Sequence, residues 1–138
     1  MGQNVHAVLL GVKAGQLSDK WRYAGGGDGY GWDNFVRDAK VAVTNIGHAG
    51  PMPVFNWEED RGESDALFGI WIAVGYRGDH GALPLETPIR LDKMVEDERY
   101  KSAIMAAERS FAIAREWALA QGVDLGEPTL WLTTTSVR

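Results

Sequence analysis

The strongest constraint on the fold of this chain is a long segment without proline or glycine, from Asp92 to Gln121, followed directly by Gly122. Proline and glycine weaken helix interiors, and a glycine just past the last turn is a common helix ending. At about 100° per residue, one apolar stripe contains Tyr100, Ile104, Ala107, Phe111, Ala114 and Ala118. The pattern predicts one amphipathic helix about 45 Å long and leaves a bend or a separate first turn near Asp97 open.

Strand patterns occur before and after this helix. The segment from Val5 to Lys13 is apolar on both alternating faces, which predicts a central strand covered on both sides. β-Branched residues around Trp131 predict a closing strand from Thr129 to Val137. Two shorter strand candidates run from Lys40 to Ile46 and from Val54 to Trp57.

The clearest strand signal is a hairpin, in which the segment from Ala66 to Tyr76 alternates, 77–81 turns, and Leu83 to Leu91 returns. Two prolines on the polar side of the return strand predict an edge strand. One face of the first strand is predicted to carry Phe68, Ile70, Ile72, Val74 and Tyr76. The other face is predicted to carry Leu67, Gly69, Trp71, Ala73 and Gly75. Small residues on that second face would let a neighbouring backbone approach closely.

A glycine-rich segment follows the first strand. Residues 14–33 show no useful periodicity, and five glycines lie between Gly25 and Gly31. The segment lacks the context of a phosphate-binding loop and the alternating ligands of a calcium loop. We interpret it as an irregular loop whose aromatic side chains cover the body of the protein or a pocket. A short helix from Asp33 to Ala39, capped by Asp33, is expected to follow it.

The order of these elements favours an α+β fold, because the strands are grouped rather than alternating strictly with helices. We expect a mainly antiparallel sheet of about five strands, with one long helix at about 92–121 packed across one face. The chain has 138 residues, of which 45% are hydrophobic and 24% are charged. This length and composition are typical of one globular domain, expected to span 1–138.

Composition also narrows the function classes. A formal net charge of −5 argues against a protein that reads nucleic-acid phosphates. The apolar runs are too short for a membrane span and no secretory signal is recognisable, so a cytoplasmic protein is expected. The chain has no cysteine, and its three histidines lack the spacing of metal ligands. We therefore expect no nucleic acid, no membrane, no metal and no cofactor.

No catalytic motif is recognisable, so the preferred hypothesis is a non-enzymatic binding protein for a small molecule or a protein partner. Loop aromatics beside glycines suit stacking on a ligand and hot spots of protein interfaces. The predicted ligand-binding residues are Trp21, Tyr23, Tyr30, Trp32, His48 and Trp57. An alternative of another class is a small hydrolase or isomerase whose pocket gathers His48, Asp79 and His80. Whether the protein is an enzyme stays open at this point.

A third hypothesis is a homodimeric interaction module. The flank of the predicted helix, beside its apolar stripe, carries Met105, Ala112 and Leu119. A second copy would cover this flank or an apolar sheet face, because such surfaces are rarely left open in a monomer. A homodimer is compatible with either of the other two hypotheses.

Overall fold

The computed structural model of the chain describes residues 3–13, 31–45, 53–56, 67–75, 82–85 and 89–137. Strands in these ranges are β1 (Gln3–Lys13), β2 (Pro53–Asn56), β3 (Leu67–Val74), β4 (Leu83–Pro84) and β5 (Thr129–Val137). The helices in the same ranges are α1 (Gly31–Asn45), α2 (Leu91–Met94) and α3 (Glu98–Ala120). A sheet with separate helices confirms the predicted α+β class.

Four strands form the body of the sheet, in the order β2-β3-β1-β5, and the three pairs are antiparallel. β1 pairs with β5 from Gln3, opposite Val137, to Gly11, opposite Thr129. The remaining strand, β4, has only two residues and pairs in parallel with the end of β3. The sheet is therefore mainly antiparallel, as predicted. Four full strands and more than one helix correct the expectation of about five strands and one long helix.

Buried side chains fill the space between the helices and one face of the sheet, and we call this cluster the helix-side core. α1 contributes Phe35 to it, β3 contributes Phe68 and α3 contributes Phe111. The ring centroid of Phe68 lies 5.4 Å from that of Phe35 and 6.2 Å from that of Phe111. These distances are typical of interacting aromatic pairs, so the rings tie both helices to the same strand.

The opposite face of the central strands is also buried. Leu9 on β1 and Trp71 on β3 are partners across the pair and belong to a second apolar cluster on that face. Trp131 on β5 packs against this cluster and donates its indole N–H to the Gly11 carbonyl at 2.9 Å. β1 is therefore a central strand that is buried on both faces from Ala7 to Val12, as its sequence predicts.

A β-bulge in β3 reverses the predicted facing of its last residues. The pairing with β1 skips Ile72, which is an extra residue between the partners of Val8 and Leu9. Ile72 and Ala73 both belong to the helix-side core, and Val74 belongs to the opposite cluster. The prediction that Val74 shares the face of Ile72 is therefore wrong.

The predicted hairpin is also wrong, because β4 runs parallel to β3. Leu85 donates its backbone N–H to the Val74 carbonyl at 2.8 Å. Pro84 has no backbone N–H and so cannot donate a hydrogen bond to a neighbouring strand. The alternation that suggested a return strand reflects packing: Leu85 is buried, and Leu83 and Ile89 lie against the helix-side core. Such a pattern marks a packed face but carries no information about strand direction.

α1 replaces two predicted elements. The strand expected from Lys40 to Ile46 lies almost wholly within α1, and Asp33, expected as a helix cap, lies inside its first turn. Phe35, Ala39 and Val43 are spaced four residues apart and so share one side of a helix, which suits α1 and not a strand. All three are fully buried. Helical burial therefore outweighs the local strand preference of the β-branched residues.

α3 forms most of the predicted long helix. Asp97 caps its start by accepting the Arg99 backbone N–H at 2.9 Å, so a break near Asp97 separates α2 from α3. At the other end Gly122 has a φ of +86°, and the Val123 N–H donates to the Ala118 carbonyl at 2.9 Å. This Schellman ending confirms the predicted stop at Gly122. Five residues of the predicted stripe are buried, namely Tyr100, Ala107, Phe111, Ala114 and Ala118.

Close contact between β1 and β3 depends on two glycines that are partners in the sheet. A Cβ at Gly69 would meet the Leu10 carbonyl oxygen and lie 2.7 Å from the Gly11 Cα. We predict that Gly69→Ala lowers the free energy of unfolding by about 3 kcal/mol, because the strands must separate to admit the methyl group. Gly75→Ala is the control, since its Cβ would lie 3.1 Å from the His6 carbonyl oxygen at an exposed strand end. Urea denaturation measures both losses, and equal losses would contradict the close approach.

The Asp97 cap makes stability depend on pH. The hydrogen bond from the Arg99 side chain holds the pKa of Asp97 below its ordinary value, and the Arg99 backbone N–H lowers it further. Because the folded pKa is lower than the unfolded one, ionised Asp97 stabilises the fold above the unfolded pKa. This contribution is lost as the pH falls through the folded pKa.

We predict that Asp97→Ala lowers the melting temperature at neutral pH and has a smaller effect in strong acid. Asp97→Asn keeps an oxygen that accepts the Arg99 N–H, so it should retain part of the stability at neutral pH. Thermal melts of the three proteins across a pH series measure the difference. A loss in Asp97→Ala that is the same at every pH would argue against a role for the charge.

Candidate functional site

The predicted aromatic binding site lies almost entirely outside the described residues. This holds for five of its six members, namely Trp21, Tyr23, Tyr30, His48 and Trp57. The sixth, Trp32, lies in the first turn of α1 and not in the expected loop. The reason is that the helix that buries Phe35 extends one turn upstream, to Gly31. The aromatic ligand site therefore stays a prediction.

The three residues of the enzymatic alternative, His48, Asp79 and His80, also lie outside the described ranges. The hydrolase or isomerase hypothesis stays a prediction as well. Among the residues that the structure describes, no three histidine or acidic side chains gather in a way that could hold a metal ion. Nor does any described helix combine the length and the apolar character that crossing a membrane requires. What the described residues do contain is a surface groove.

This groove runs along one flank of α3, between the helix and β5, and we call it the α3–β5 groove. It has two adjoining halves of about 430 and 440 Å³, and Glu108 and Pro128 line both of them. The wall formed by α3 includes Lys101, Met105, Glu108, Ala112, Arg115 and Leu119. The opposite wall includes Glu127, Pro128, Thr129 and Leu130, and Val95, in the turn between α2 and α3, also lines the groove.

The groove exists because α3 packs mainly over β3 and β1 and leaves β5 uncovered on that side. Leu130 pairs with Leu10, and Leu132 pairs with Val8; both β1 partners belong to the helix-side core. Residues directly opposite each other in a sheet share one face, so the two β5 leucines also face the helix side. They are nevertheless 39% and 55% exposed. β5 thus presents two leucines at the open side of the core.

The α3 wall contains the exposed helix flank that the sequence predicts. All three predicted flank residues, Met105, Ala112 and Leu119, line the groove. Leu130 and Leu132 were not recognisable as site residues. Their alternation along β5 shows that the strand has two faces but not which face a helix covers.

Charged groups frame the groove. At one end the Arg115 guanidinium donates to a Glu127 carboxylate oxygen at 2.8 Å, which joins α3 to the segment before β5. This hydrogen bond raises the pKa of Arg115 above its ordinary value. Lys101 and Glu108 stand further along the same wall, are exposed, and form no ion pair within the described part of the chain. An apolar floor with a charged rim suits the binding of another surface.

No family model, curated protein or solved structure matches this chain. What the groove binds is therefore inferred from its own side chains, charges and dimensions.

The exposed side chains of the groove contribute little to folding. We predict that Leu119→Gln and Met105→Gln change the free energy of unfolding of dilute protein by about 0.5 kcal/mol or less, since solvent already reaches both positions. Phe111→Ala, on the buried side of α3, is expected to cost about 4 kcal/mol because it leaves a cavity beside Phe68. Denaturant titrations measure these differences. A loss in Leu119→Gln comparable with that in Phe111→Ala would contradict the exposure of the groove's outer side chains.

Proposed function

We propose that this protein is a non-enzymatic binding module and that a partner protein docks in its α3–β5 groove. The observation that carries the proposal is the clustering of exposed apolar side chains. Seven large hydrophobic side chains are exposed among the described residues, and most of them lie at one place. Val95, Met105, Leu119 and Leu130 line the groove, and Leu132 lies on the same face of β5 as Leu130. Scattered exposed hydrophobic residues are ordinary, whereas a contiguous group of this kind marks an interaction surface.

The shape of the groove favours a protein over a small molecule. Lys101 and Leu119 both line it, and a helical segment of that extent is about 27 Å long. Sites for small molecules are usually pockets that enclose most of the ligand. A long open channel beside a helix instead matches the way in which an apolar protein ridge docks against a groove.

The charges of the groove define the partner further. Met105 and Leu130 line one half of the groove together with Lys101, Glu108 lies where the two halves meet, and Glu127 is held by Arg115. Interfaces commonly combine an apolar centre with a polar rim. The partner that fits therefore presents an apolar ridge flanked by charges of both signs.

Accessible apolar surface in the groove can be measured with the anionic dye 8-anilinonaphthalene-1-sulfonate, which fluoresces on such surfaces. We predict saturable dye binding at the lowest workable protein concentration. Met105→Glu should weaken this binding several-fold, because it places a negative charge among the apolar side chains that line this half of the groove.

Val41→Glu is the matched control for this experiment. Val41 is 49% exposed, close to the 51% of Met105, but it lies on α1 and does not line the groove. The proposal expects dye binding by Val41→Glu to equal that of the unmodified protein. Undiminished dye binding by Met105→Glu would contradict the proposal.

A further inference from the structure

We infer that the partner in the groove is the same face of a second copy of this chain, so that two chains form a symmetric homodimer. This assignment of the partner rests on the proposed function, because it concerns the same groove. It comes from the order of charges along the α3 wall. Lys101 lies on one side of the exposed Met105, and Glu108 lies on the other side. Neither charge is used in an ion pair among the described residues, so both are available to another molecule.

The positions of these two charges are self-complementary. Lys101 and Glu108 are two helical turns apart on one face of α3, a separation of about 10.5 Å. Their midpoint lies between Ile104 and Met105. A two-fold axis through this midpoint, perpendicular to α3, places Lys101 opposite Glu108 of the partner subunit. By symmetry Glu108 then lies opposite Lys101 of the partner subunit, so one sequence supplies both halves of two equivalent ion pairs.

The same axis brings apolar side chains together. Met105 lies beside the axis and is half exposed, so the methionines of the two copies meet at the centre of the interface. Leu130 borders this centre from the other wall of the groove. The flexible thioether of methionine adapts well to such a contact. In a two-fold interface each copy buries the same patch, so the exposed flank of one chain covers that of the other.

Other arrangements of two α3 helices lose the charge pairing. A parallel arrangement in the same register would place Lys101 against Lys101 of the partner subunit and Glu108 against Glu108 of the partner subunit. Like charges at this distance repel each other. The other rim pair, Arg115 with Glu127, is satisfied within one chain and opposes neither arrangement. The order of the charges therefore favours an antiparallel crossing of two copies.

Sedimentation equilibrium over a wide range of protein concentrations tests this inference. The unmodified protein is expected to show a reversible monomer–dimer equilibrium. Lys101→Glu should raise the dissociation constant about tenfold, because two attractions become repulsions. Glu108→Lys should have a similar effect. Combining both substitutions should restore the dimer, because the order of the charges is then reversed on both copies.

Two control variants make the same changes of charge elsewhere on α3. Arg109→Glu and Glu98→Lys alter exposed positions that do not line the groove. Weaker association in each single groove variant, recovery in the double variant and no effect in the controls would support the inference. Failure of the double variant to recover would overturn it, as would equal weakening in the controls.

The dye experiment separates this inference from the proposed function. If the protein stays monomeric at every concentration while its groove binds the dye, the homodimer is contradicted. The partner that docks in the groove is then a different protein. If the protein is monomeric and its groove does not bind the dye, both the homodimer and the proposed function are contradicted. A dimer that forms equally well in Met105→Glu overturns the groove as the dimer interface.

Discussion

The structure depends on the packing of three phenylalanine rings between two helices and one strand. Phe68 in β3 contacts Phe35 from α1 and Phe111 from α3, and all three rings are almost completely buried. Burial of each such ring stabilises the fold by about 1.5–3 kcal/mol. Because Phe111 must stay above Phe68, the place where α3 crosses the sheet is determined, and so is the direction in which each side of the helix faces.

The groove is a consequence of this crossing. α3 presents Phe111 to the sheet and Met105 to solvent, so one helix contributes both to the core and to the candidate binding surface. β5 is held by its pairing with β1 and by the hydrogen bond from Trp131 to Gly11, and it does not need a helix above it. The core residues Phe111 and Leu10 also line the groove, whereas Met105 and Leu119 line it as exposed side chains. A change at one of the exposed lining residues can therefore alter association while the core stays intact.

Strong local patterns made much of the fold predictable from the sequence. The ends of β5, the stop at Gly122 and the buried face of α3 follow from propensities and periodicities that act within one element. The bulge at Ile72 and the direction of β4 depend on how a strand pairs with its neighbour, and no local pattern encodes that pairing. The sequence predicts a strand in the second half of α1 because the valines and threonine after Lys40 favour strands when burial is ignored.

The candidate site was predictable only in part. The flank that carries Met105 follows from the helical periodicity of α3, because residues beside a buried stripe border the covered surface. The contribution of Leu130 depends on which strands α3 leaves uncovered, and that is a property of the assembled core. Trp32, expected in a loop, belongs to α1, which begins at Gly31. Tertiary packing decided each of these points.

The pairing of β1 with β5 has a consequence for the way in which the chain folds. Gln3 lies opposite Val137, so this strand pair joins segments that are separated by nearly the whole sequence. Closing so long a loop lowers the entropy of the chain before any contact can compensate for that loss. Folds rich in contacts between residues far apart in sequence therefore form slowly. During synthesis this edge of β1 has no partner until the chain has been made as far as Val137. Over that interval β1 has unpaired backbone groups along the edge that β5 later covers, and such an edge can pair with another strand.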